Sequence, residues 1–415
     1  MGNSIKQGFF NLMRVALGLL FVFSGFVKCV DPTGGAIKIE DYFIAWGLDF
    51  IPWSLCLVLS AVQSVLEFSA GFALLVGAYL RVSSAVVLAF MAFFTPLTLY
   101  IAIANPVSDC GCFGDAVKLT NWETFFKNLV FLPMAVLVFL WSREFAPNVK
   151  KWRQSALFAC GLLISILVTI KGLTDEPMID FRPFSVGTDI KRSMSIPEDA
   201  PMGEFKTTFL LEKNGEVKEF DENNYPYEDS TWVFRETRTV VIKEGYTPAI
   251  ADFTFIDVEG DEHTEELLSS TEPVLLAISP KVEMADSTGL KKMARLSDRA
   301  RAKGLKFFVC TSSTADVCAR VQAESGSALD FLFADEVMLK TMARSNPAIM
   351  VLKDGVVVAK YHIDHVPEDS FLDAPLSTYL LGIERSYDWL QVLCLALVGS
   401  MVYFLVFKKR KKQNR

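Results

Sequence analysis

Apolar residues along this chain gather into long runs, at 9–28, 53–80, 82–104, 123–141, 156–172 and 389–407. Each is long enough, as a helix, to cross about 30 Å of hydrocarbon, so the pattern predicts six transmembrane helices. The first is expected to be retained, because no small-residue cleavage site follows it and Lys28 before Cys29 spoils a lipoprotein-type processing site. Between the fifth and sixth runs the pattern changes. TTFLLEKNGEVKEF reads as a hairpin about Lys213, Asn214 and Gly215, and TRTVVIKEG as another strand. Beyond them FTFIDVEGDE, a helical stretch, PVLLAIS, LKKMARLSDRARAKG, LKFFVC, a second helix and PAIMVLKDGVVVAKYH alternate strands with helices, an α/β layer pattern. The expected organisation is a four-helix membrane domain over 1–145, a fifth helix over 146–173, a β-rich connector over 174–245, an α/β domain over 246–386, and a sixth helix with a basic tail over 387–415.

Composition agrees that lipid is the solvent for part of the chain: 415 residues at 51% hydrophobic content, with 34 Phe, are too apolar and too many for one soluble domain. The formal net charge of −7 hides a split, since most acids fall between Asp175 and Glu384 whereas the chain ends in KKRKKQNR. The loop SREFAPNVKKWRQ is basic too, but the loop from Val30 to Pro52 holds one Lys and four acids. By the positive-inside rule both termini are expected on the cytoplasmic side of the membrane and the insert on the outer side. The basic tail directly follows an apolar run and reads as a topology anchor, so no nucleic-acid role is expected.

Eight Cys are too sparse for a disulfide scaffold, and no CxxC or zinc-type spacing occurs. Cys110 and Cys112, in SDCGCFGDAVKLTNWETFFKN, are expected at the outer membrane face. A CxC pair can close a small strained ring that favours exchange, with Gly111 and Gly114 giving backbone freedom. It can also be an incidental pair of loop thiols, and a metal site would need two more soft ligands that the neighbourhood does not offer. Cys29 ends the first helix on the same face and is a candidate partner thiol. Cys56, Cys160 and Cys394 lie in apolar runs, and Cys310 and Cys318 in the α/β segment read as core thiols. Within the spans, Glu67 near the middle of the second helix is expected to face the bundle interior and to find a cation in Arg14, Lys127 or an equivalent donor. Gln63, four residues earlier, extends the same polar stripe.

Two resemblances follow from these residues. RVALGLLFVFSGFVKCVDP, the Glu67 helix and DCGCFGD together resemble the DoxX-like superfamily, nearest to its methylamine-utilisation MauE branch, over roughly residues 8–142. Asn346, Pro347 and AIMVLKDGVVVAKY resemble the cis-proline strand and hairpin of thioredoxin-like domains. That family's CxxC would follow PVLLAIS, yet SPKVEMADSTG there holds no Cys, so the domain is expected to bind or dock rather than to exchange disulfides. The whole arrangement is similar to DoxX family membrane proteins of Bacteroides-type bacteria. The resemblance implies an envelope protein tied to thiol chemistry, a possible thiol-disulfide oxidoreductase passing electrons through Cys110 and Cys112 to or from a partner thiol protein or a quinone. A non-enzymatic scaffold for an envelope partner is the second reading, and a small-solute transporter using Glu67 is the third.

Overall fold

The computed structural model describes residues 3–367 apart from 108, 147–149, 202, 214, 222–223 and 244; the sixth apolar run, Cys394 and the basic tail lie outside the described residues. Six helices come first: α1 (Asn3–Val30), α2 (Pro32–Ala45), α3 (Trp53–Val76), α4 (Leu80–Ala104), α5 (Asn121–Trp141) and α6 (Lys151–Thr174). All but α2 are long and apolar enough to cross a membrane. The helix α2 departs from the loop expected between Val30 and Pro52. Asp31 caps it by accepting from the Gly34 amide at 2.8 Å, and Pro32 stands at its first position, where its missing N–H is not needed.

α1 and α3 run antiparallel in close contact, with small residues at the crossing. A Cβ on Gly25 would lie 2.4 Å from the Phe68 backbone nitrogen, and one on Gly71 would lie 2.5 Å from Phe21 Cβ. In a bilayer, where burying apolar side chains gains little, such approach is a main source of helix association. α6 joins the other face of α3 through Gly161 on Phe72 and a contact of 3.2 Å between the Ser69 and Ser165 hydroxyls. α4 and α5 pair with each other, and α1 and α3 each contribute to the core between them, around Phe10, Leu17, Phe21, Leu74, Met91 and Val138.

After the short helix α7 (Ile190–Met194), strands β1 (Glu204–Lys213), β2 (Glu216–Asp221) and β3 (Val233–Lys243) form an antiparallel sheet in the order β2-β1-β3. The remaining elements are α8 (Thr264–Ser269), β4 (Val274–Ile278), α9 (Ser287–Ala302), β5 (Lys306–Thr311), α10 (Ala315–Ser325), β6 (Phe331–Phe333), α11 (Glu336–Met342), β7 (Ala348–Lys353) and β8 (Val356–His362). Their sheet has the order β6-β5-β4-β7-β8, with β4, β5 and β6 parallel and β7 and β8 antiparallel to their neighbours. Alternation along β4 sends Val274, Leu276 and Ile278 to a core with α8 and α11, and Leu275 and Ala277 to a core with α9 and α10. Cys310 belongs to the first core and Cys318 to the second, so the sheet separates them. The Asn346–Pro347 peptide bond at the entrance to β7 is cis.

The segment after α6 ties the sheet to the bundle through buried charge. Glu176 and Asp180 bond Arg182, and Asp180 also bonds Lys360 of β8 at 2.7 Å.

Candidate functional site

The loop between α4 and α5 is shaped at both ends. Asn105 closes α4 in a left-handed conformation and its side-chain oxygen accepts from Asn121 at 2.9 Å, while Thr120 and Glu123 form a reciprocal capping box on α5. Between these ends Gly111 and Gly114 take positive φ, which brings Cys110 and Cys112 back towards one another. Both are free thiols, with sulfurs 2.8 Å apart. That separation is shorter than an ordinary contact between two sulfurs and longer than the roughly 2.05 Å of a disulfide.

Polar contacts hold the loop to the bundle. Lys38 of α2 bonds Asp109 at 3.0 Å, Tyr42 donates to the Cys110 carbonyl at 3.1 Å, and Ser24 of α1 donates to the Cys112 carbonyl at 2.6 Å. The two sulfurs differ electrostatically. Hydrogen bonding with the Cys112 sulfur, together with the Thr124 hydroxyl, the Cys112 amide and the charge on Lys127, holds Cys110 below the ordinary thiol range despite burial. The same hydrogen bond, with burial, pushes Cys112 well above that range.

Below the loop lies a cavity of about 550 Å³ whose walls are mostly aromatic and aliphatic. Polar groups among its lining include Ser24, Lys28, Gln63, Glu67, Lys127 and Asn128, with both thiols in the same wall. Val62 and Leu66 of α3 and Phe93 of α4 line it while remaining 51%, 49% and 63% exposed, so part of its wall is made of apolar side chains at the outside of the bundle.

Glu67 is buried and bonds Lys28 at 2.7 Å; Lys28 also reaches the Ser24 hydroxyl at 3.3 Å. The expected partners Arg14 and Lys127 are therefore both corrected. The crossing that sets Gly25 against Phe68 places Lys28, three residues further along α1, at Glu67, and leaves Arg14 fourteen residues back from Lys28, roughly 21 Å of helix rise away. Arg14 instead donates to the Leu74 and Leu75 carbonyls at 2.7 and 2.8 Å, near the end of α3. Lys127 lies 4.2 Å over the Phe113 ring, facing the thiols.

Cys29 is not brought to the pair. It is one residue, and so about 100° of helix, beyond Lys28, which turns it into a core with Phe68, Phe72, Ile164 and Val168. Cys310 and Cys318 are buried away from the loop; burial pushes Cys318 up to about 11 and Cys310 further.

The bundle that carries this arrangement has recognisable relatives. Residues 6–142 match the family described as methylamine utilisation protein MauE. This MauE family domain takes in four of the five candidate spans and all the thiol-loop and cavity residues named above. With the apolar helices it marks a membrane protein. Residues 205–244, within the three-stranded sheet, match a domain of unknown function, DUF8463. No curated protein and no solved structure matches the chain.

Sequence reasoning missed Lys28, Ser24, Lys38 and Tyr42 as site residues. Lys28 and Ser24 carried a signal, since four-residue spacing at the end of an apolar helix puts both on one face. Lys38 and Tyr42 share that spacing on α2, and Asp31-Pro32 is the helix-start signature that would have revealed it.

Proposed function

We propose that this protein is a membrane-bound thiol-disulfide redox component of the bacterial envelope, working through Cys110 and Cys112. The observation that carries the reading is the close approach of two sulfurs in the wall of a largely apolar cavity within the bundle. Donors converge on Cys110, which makes it the attacking thiolate. Attack on a partner disulfide forms one S–S bond, breaks another and frees one partner thiolate. Cys112 then attacks Cys110, closing the intrachain disulfide and freeing the second partner thiol; electron flow in the other direction is the reverse of these steps. The chain's own pair is reset by a carrier that exchanges two electrons and two protons, disulfide and quinol on one side, dithiol and quinone on the other. A largely apolar cavity beside the thiols suits a quinone better than a water-soluble carrier.

In this reading the termini are cytoplasmic and the sheets periplasmic, in keeping with the basic 142–154 loop. The α/β segment is a thioredoxin-like docking module, a reading supported by the order of its five strands and by the lack of Cys between β4 and α9.

The test is trapping in membranes. With Cys112→Ser, mixed disulfides through Cys110 should accumulate, and Cys110→Ser should abolish them. In the unaltered chain, alkylation-shift labelling should show the pair closing with a quinone analogue and reopening with reductant. A pair that stays reduced under both oxidants, quinone and protein disulfide, overturns the proposal in favour of a scaffold.

A further inference from the structure

Ser24 of α1 and Lys38 and Tyr42 of α2 hold the thiol loop from the bundle. A further anchor comes from the segment before β7. Arg344, between α11 and β7, donates through Nη2 to Asp115 at 2.9 Å, three residues beyond Cys112, and through Nε to both oxygens of Asp31 at 2.8 and 3.0 Å. Its side chain is only 7% exposed, and Nη1 donates to the Lys340 carbonyl. One guanidinium thus joins the end of α1, the thiol loop and α11.

The backbone that presents it is fixed as well. Glu176 accepts from the Arg344 amide at 3.0 Å and from the Ser345 amide and hydroxyl at 2.9 Å each. Asn346 accepts from Ser279 and donates to the Lys281 carbonyl at 2.9 Å, anchoring the same turn to the end of β4. Lys340 faces Glu40 of α2 at 3.7 Å.

We infer that Arg344 is a positioning residue, through which the soluble part of the chain holds the Cys110–Gly111–Cys112 loop in the geometry that brings its sulfurs together. This rests on the redox reading of the pair. A loop with two glycines at positive φ has little stiffness of its own, so its shape depends on what grips it. Without the guanidinium, the Asp31 and Asp115 carboxylates lose the cation they share and repel, which draws the loop away from α1. A lysine presents a single point of charge and cannot bond both carboxylates with the same fork.

Alkylation of Cys110 in membranes, measured against pH, reads the loop geometry without any electron acceptor. The charged and titratable groups around that thiol are first Cys112 at 2.8 Å, then Lys127 on α5, Lys28 and Glu67 across the cavity, Lys38, Asp41 and Tyr42 on α2, and Asp109 and Asp115 in the loop. Arg344→Gln should shift the profile to higher pH, slowing alkylation at pH 6.5 on the order of five- to tenfold, with the curves meeting above pH 9. Asp115→Asn should give the same shift while the Asp31–Arg344 contact keeps the soluble part docked, as limited proteolysis of the 175–190 segment would report. Arg344→Lys should recover only part of the profile. If Arg344→Gln fails to fold, Asp115→Asn decides the matter alone. An unchanged profile in Asp115→Asn overturns the inference, leaving Arg344 as a docking contact only. A pair that shifts its alkylation profile but never oxidises would instead sink the redox reading and leave the positioning role standing.

Discussion

The Lys28–Glu67 pair gives the sharpest energetic test. At 2.7 Å, with side chains 12% and 8% exposed inside the bundle, it is a buried ion pair in a membrane domain. Removing one partner of a buried pair typically destabilises by about 3–5 kcal/mol, and a lone charge at mid-bilayer by about 2.5–3.5 kcal/mol on the lenient insertion scale. Here the Ser24 hydroxyl remains beside Lys28, so the lower figure applies. Lys28→Met or Glu67→Leu alone should therefore cost about 3 kcal/mol. Replacing both should recover most of that, leaving a net loss of about 1 kcal/mol and a coupling energy on the order of 5 kcal/mol. Thermal unfolding of the full chain in nanodiscs, for each single variant and the double, measures this cycle. At roughly 2–4 °C per kcal/mol, each single variant should fall by about 6–12 °C and the double by a few degrees. Additive losses in the double variant would refute the argument that each charge is held in place by the other. If the double variant is stable yet its thiols no longer cycle, the pair is present for the chemistry beside it and not for the fold.

Three further outcomes are expected. Gly71→Val should drive α1 and α3 apart at Phe21 and lower the yield of folded protein, at about 3 kcal/mol or more, whereas Gly8→Ala, with nothing within 4 Å of the added carbon, should be tolerated; equal yields would argue against the close crossing. Cys310 and Cys318 should resist maleimide in the folded protein at pH 7.5 and react only after denaturation, since both are buried and held protonated; labelling at the rate of Cys110 would contradict their place in the two cores. Protease added to spheroplasts should cut between 174 and 367, and cleavage restricted to inside-out vesicles would reverse the orientation proposed.

The five described spans were readable because each is a long, predominantly apolar run with few charges, a signal that needs only local sequence. The short continuous apolar runs in PVLLAIS and AIMVLKDG, set between helical stretches, likewise read as strands of an α/β layer. What stayed hidden depends on the angle and depth at which helices cross. Glu67 was evidently in need of a cation, but Arg14, Lys28 and Lys127 are all positive residues on neighbouring helices, and only the Gly25–Phe68 contact selects among them. Cys29 looked like a partner for the thiol pair because it shares their membrane face, and a single step of helix rotation removes it. Arg344 was out of reach for another reason: it lies 229 residues from Asp115 and belongs to no motif, so nothing in the sequence between them signals that they meet.

The stretch from Ser24 to Asp31 bears several unrelated duties in two helical turns. Ser24 holds the loop, Lys28 meets Glu67, Cys29 packs towards α6, and Asp31 both starts α2 and receives Arg344. Because each added residue turns a helix by about 100° and lengthens it by about 1.5 Å, inserting or deleting one position there would misdirect all four at once. Side chains in this stretch can be exchanged one at a time with local effects, but its length is not adjustable. Chimaeras that graft another first helix onto this bundle will therefore succeed or fail on the residue count between Ser24 and Asp31 before any question of composition arises.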